Sequence, residues 1–244
     1  MYESWVMLNV IQPNSRVQFT AEDIDFIVSV LRSKTGDAEC LTRLLADEEA
    51  RDLILDDEAL VRAVLERRDC LRVSSQFYFY ILVRHVFRRS DLRDRPLADY
   101  VASVLAEFSN IERTRCRIDG RPPLDYFCDL LAALQSANDT TRFYIRAHIG
   151  NYSLFLSGVF PDRIRFRAER KGAPALSYYE GVGRANFRAA SDHRLARKYD
   201  LDAIFDTLAE RFQETRIALN DLRERLITLG DPEIPADILI KASS

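Results

Sequence analysis

Leu201, Phe205, Leu208, Phe212, Thr215, Leu219, Leu222, Leu226 and Leu229 follow one another at alternating spacings of four and three, with no glycine or proline between them. An α-helix returns side chains to one face at that interval, and an extended strand does not. The spacing predicts one long C-terminal helix of about 30 residues, roughly 45 Å from end to end. Gly230 and the two prolines of Asp231-Pro232-Glu233-Ile234-Pro235 end it. Pairing of this seam with a second copy is disfavoured by its flanks. With Phe205 at position a of a heptad, Arg211 and Arg225 fall at g, and Arg216 and Arg223 at e. Two copies would set arginine against arginine. Ile204, Ala209 and Ala218 also widen the apolar face beyond a two-stranded seam. The seam is therefore expected to pack on other helices of its own chain.

Similar signals run upstream. Thr20 is placed to cap a helix starting at Ala21, with Asp23 three residues on, and Phe19 and Ile24 flanking the cap. Short helices are expected around Cys40–Ala46 and Asp57–Arg68. Pro96 suits the first turn of a helix burying Leu97, Tyr100, Val101, Val104, Leu105 and Phe108, and Pro122-Pro123 the start of the next. Two segments are apolar nearly all round and should be central: 74–89, including the run Phe77–Val83, and 141–157. The aromatic and β-branched run Phe77–Val83 would also suit a buried strand, and helix is the assignment taken here. A further helix over 177–191 carries Gly181, Ala185 and Ala189 at intervals of four, a stripe on which a neighbouring helix could pack closely. The expectation is an all-α bundle of about eight to ten helices with two central apolar helices and one long C-terminal helix. It is read as a single helical domain, residues 1–244, with 110–121 the place for any lobe boundary.

With 47% hydrophobic and 30% charged residues, the chain has the composition of a globular protein. Its longest apolar run stops after seven residues at Arg84, far short of a membrane span. The first residues lack a basic leader pattern, so a cytoplasmic location is expected. Cys40, Cys70, Cys116 and Cys128 are scattered and are read as reduced, mostly buried thiols. No Glu-x-x-His, phosphate-binding loop, dinucleotide fingerprint or nucleophile elbow is present. The carboxylate pairs Asp52/Asp56 and Asp202/Asp206 have a spacing that can hold magnesium, but are read as solvated faces. No metal or cofactor is expected.

Charge is segregated. Residues 142–198 hold 12 basic and 4 acidic side chains, whereas residues 1–69 hold 8 and 15. Arg163, Arg165, Arg167, Arg170 and Lys171, then Arg184, Arg188, Arg194, Arg197 and Lys198, are interleaved with Phe166, Tyr178, Tyr179 and Phe187. Arginine with aromatics is what nucleic-acid binding needs, although the pI of about 5.8 is low for such a protein. Polar residues set into the apolar helices give a second candidate. Arg146, His148, Glu180 and Arg184 would form a small-anion or acid–base site if their helices met. The leading functional expectation is a non-catalytic interaction or regulatory protein with a charge-segregated surface, engaging a protein partner or itself. A helical enzyme or anion-binding protein is second, and nucleic-acid binding through 163–198 is third.

Overall fold

A computed structural model of the chain describes residues 10–35, 38–66, 72–109 and 127–228. These residues form thirteen α-helices and one short 3-10 turn, with no strand among them. The expected loop at 110–121, the Pro122-Pro123 helix start, Leu229 and the C-terminal tail lie outside the described residues. The helices cluster into two compact units, one built around Pro13–Ala106 and the other around Glu107–Asn220.

The first unit comprises the turn Ser15–Gln18, α1 (Ala21–Thr35), α2 (Ala38–Ala46), α3 (Glu48–Leu55), α4 (Glu58–Glu66), α5 (Ser75–Arg89) and most of α6 (Arg95–Phe108). The cap of α1 forms as its sequence requires. Asp23 N–H donates to Thr20 Oγ1, and Thr20 N–H donates back to Asp23 Oδ2. The fully buried Asp23 also accepts from the backbone N–H and hydroxyl of Ser74, which itself caps α5 through Phe77 N–H. One carboxylate thereby fixes the start of two helices. Phe77–Val83 is helical, and α5 buries Phe77, Tyr80, Ile81, Leu82, Val83, Val86 and Phe87.

Asp52 and Asp56 are not on a solvated face. Asp56 takes a two-pronged ion pair from Arg84 at 2.8 and 3.1 Å and a further bond from Arg95 at 2.9 Å. Asp52 pairs with Arg16 at 2.8 Å, and Arg16 also reaches Asp99 at 3.1 Å. Burial pushes the Asp99 carboxyl up, against the pull of Arg16. Asp52 and Asp56 thus serve as counter-ions for arginine.

The second unit is organised on α8 (Asp139–Val159), with α7 (Phe127–Ser136), α9 (Pro161–Lys171), α10 (Leu176–Ser191), α11 (Arg194–Lys198), α12 (Asp202–Glu210) and the first half of α13 (Phe212–Thr228). Close helix contacts are made through glycines other than the expected stripe. A Cβ at Gly150 would stand 2.8 Å from the ring of Phe187, and one at Gly158 would stand 2.8 Å from Leu219. At Gly183 it would collide with Phe212 and Ser153, whereas at Gly181 it would meet nothing. Phe187 decides the rotation of α10: burying its ring gains more than seating two alanine methyl groups. Gly183, Phe187 and Ala190 therefore face inward, and Gly181 and Ala185 face outward.

The C-terminal seam is buried from Leu201 to Leu222, but it is not one continuous helix. Arg211 adopts φ −109°, ψ 30° between α12 and α13. The hydrogen bonds Arg211 N–H to Thr207 and Thr215 N–H to Arg211 persist, so the feature is a bend. It seats both Phe205 and Phe212 on Phe187, at ring separations of 5.5 and 6.2 Å. The helix count exceeds the expected eight to ten for the same reason: single residues such as Arg211, Asp47 and His193 interrupt patterns that are periodic on either side. Cys40 and Cys128 are exposed, contrary to the buried thiols expected; the other two cysteines lie outside the described residues.

Candidate functional site: a basic helix beside an aromatic cluster

Helix α9 begins with Pro161 in its first turn and ends at Gly172, whose φ of 61° is left-handed. Ala173-Pro174-Ala175 then leads directly into α10. Pro161 and Ile164 are the buried anchors of α9. At 100° per residue, Arg163, Phe166, Arg167 and Arg170 fall on one stripe, at intervals i, i+3, i+4 and i+7. Asp162, Arg165 and Glu169 fall on the adjoining stripe, where Arg165 pairs with Asp162 at 3.3 Å. One stripe of α9 thus carries both signs of charge, and the next is basic around a phenylalanine that is 57% exposed.

Four aromatic rings adjoin it. Phe127 stacks on Tyr152 of α8 with centroids 6.1 Å apart, and meets Tyr178 and Tyr179 of α10 edge-on at 6.1 and 5.6 Å. Tyr178 is 40% exposed. Burial pushes the Tyr179 hydroxyl up, while the nearby Arg167 pulls it down. Burial lowers the Arg163 guanidinium, and repulsion from Arg167 lowers it further. The basic stripe and the rings therefore sense one another electrostatically.

Two of the other basic residues named from sequence, Arg184 and Arg188, are engaged within the unit. Arg188 bridges to Asp206 at 2.9 Å and Glu210 at 3.3 Å, and Phe187 is fully buried. Arg184 donates its Nε to the Ala209 carbonyl at 3.2 Å. Arg184 and Arg188 line a groove of about 320 Å³, open to solvent, with Gly181, Ala185 and Ala209.

Among Arg146, His148, Glu180 and Arg184, no two are joined by a hydrogen bond or ion pair. Arg146 is half-buried on α8. His148 lies among rings, 5.5 Å from Phe108 and 6.1 Å from Tyr152. Glu180 does not pair with Arg184 one turn along. Its Oε1 lies 2.6 Å from Nε of Arg216, an ion pair without good hydrogen-bond alignment. Arg216 also donates to Asn220, whose amide donates to the Ser157 and Gly158 carbonyls at the end of α8. Glu180 is thereby the acidic end of a polar chain that reaches α8. Arg216 is read from sequence only as a flank of the apolar seam, and Asn220, Phe127 and Tyr152 carry no functional signal there. Electrostatic proximity of Tyr152 to Arg163 and of Tyr179 to Arg167 is what connects the rings with the basic stripe.

No group of three potential metal ligands occurs among the described residues. No helix among them is long and apolar enough to cross a membrane. No family model matches the chain, and neither curated proteins nor solved structures yield a significant match.

Proposed function

We propose that this chain is a non-catalytic binding protein that engages a polyanionic partner through the basic stripe of α9. The observation that carries this reading is an exposed phenylalanine, Phe166, set among Arg163, Arg167 and Arg170 on an outward face. Packing lends further support: the α8–α10 junction is filled by Phe187 and Phe212 against glycine, with little room for a substrate. A small-anion site built from Arg146, His148, Glu180 and Arg184 draws less support, because Glu180 is engaged by Arg216.

The test is retention on an immobilised polyanion at low salt. The chain carries a net charge of −3, so retention would require a local basic face. The native protein should bind and elute with rising salt, and the triple variant Arg163→Glu, Arg167→Glu, Arg170→Glu should flow through while keeping its helical circular dichroism. Equal elution of the two would refute the proposal.

A further inference from the structure

Building on the α9 reading, we infer that the polyanion is a single-stranded nucleic acid, with phosphates on the α9 arginines and bases on the exposed rings. An acidic peptide would need only the cations. It makes no use of Phe166, which stands 57% exposed at the centre of the stripe. An unpaired base does, because every base presents a flat face that stacks on an aromatic ring. Tyr178, 40% exposed in the first turn of α10, offers a second ring, and Gly172 turns the chain so that α10 follows α9 directly. Phe127 holds Tyr178 edge-on at 6.1 Å, which fixes its orientation before anything binds. A duplex keeps its base faces stacked inside and could use only the arginines.

The experiment measures fluorescence anisotropy of four labelled probes at several salt concentrations: a mixed-sequence single-stranded oligonucleotide, an abasic strand of equal length, the matching duplex, and polyglutamate. The single strand should bind tightest. Phe166→Ala should weaken its binding by about 5- to 150-fold while leaving the salt slope unchanged. Arg170→Ala should instead lower the salt slope by about 0.7. Phe166 and Arg170 are exposed, so both variants should fold, and circular dichroism checks this. Suppose the abasic strand, duplex or polyglutamate binds as well as the single strand, and Phe166→Ala changes nothing. The nucleic-acid assignment then falls, and the polyanion reading stands. Binding of none of the four probes would overturn both.

Discussion

Two glycines two residues apart show how little of a residue's role lies in its identity. Gly183 is pressed by Phe212 and Ser153, while Gly181, on the same helix, faces open space. Gly183→Ala should destabilise the fold by about 1–3 kcal/mol through overpacking. Gly181→Ala should stabilise it by about 0.5–1 kcal/mol through better helix propensity and a less flexible unfolded chain. Chemical denaturation of both variants separates them, and equal effects would contradict the rotation assigned to α10. Tyr80 offers a second residue-level expectation. It is fully buried, and among the described residues its hydroxyl has no hydrogen-bond partner. Tyr80→Phe should therefore be close to neutral, within about 1 kcal/mol. Burial pushes the Tyr80 hydroxyl up to about 12, and Tyr144, hydrogen-bonded to Tyr199 at 2.9 Å, also rises to about 12. The folded state holds these phenols neutral at pH values where an unfolded chain, near pKa 10, releases the proton. That stability is complete below about pH 10 and is lost as pH rises toward about 12. Tyrosinate absorbance of the native protein should accordingly lag that of the denatured protein.

At the scale of elements, what could be read in advance was whatever depended on local period and local capping. The Thr20–Asp23 box, the helical state of Phe77–Val83, Pro96 in the first turn of α6 and the buried seam from Leu201 to Leu222 are all local in this sense. The bend at Arg211 was not legible, because it answers Phe187, a residue more than twenty positions away. The rotation of α10 and the partner of Glu180 were hidden for the same reason. For the site, the sequence supplied arginines and aromatics as one undivided basic segment. Only packing sorts them, sending Arg188 and Phe187 to α12 and leaving Arg167 and Phe166 outside. The sorting predicts opposite responses to the same substitution on neighbouring helices. Phe187→Ala on α10 should cost about 3–5 kcal/mol through an internal cavity. Phe166→Ala on α9 should change stability by no more than about 0.5 kcal/mol. Thermal melts of the two variants provide the comparison.

Across the whole molecule, arginine is put to two uses. In the unit around Pro13–Ala106 it neutralises buried aspartate, as Arg84 and Arg95 do at Asp56. In the unit around Glu107–Asn220 a basic stripe of α9 faces outward. Asp56→Ala should cost about 3–5 kcal/mol, since it leaves the buried Arg84 guanidinium without its carboxylate while Arg95 keeps Asp52, and that loss should change little with added salt. Arg170→Glu on the exposed face of α9 should leave stability nearly untouched and alter only binding that salt also weakens. Denaturation midpoints at low and high salt distinguish the two behaviours.

The amide of Asn220 gives both of its recorded bonds to carbonyls, those of Ser157 and Gly158. Deamidation, the slow hydrolysis that ages proteins in storage, would replace the donating nitrogen with a carboxylate oxygen. Two carbonyl acceptors would then confront a third acceptor, and the end of α8 would lose its tie to α13. While the fold is intact the helix and these bonds hold the amide away from the geometry that reaction needs, so damage would accrue only in chains that have opened. Each chain damaged in that way would find its native state harder to regain.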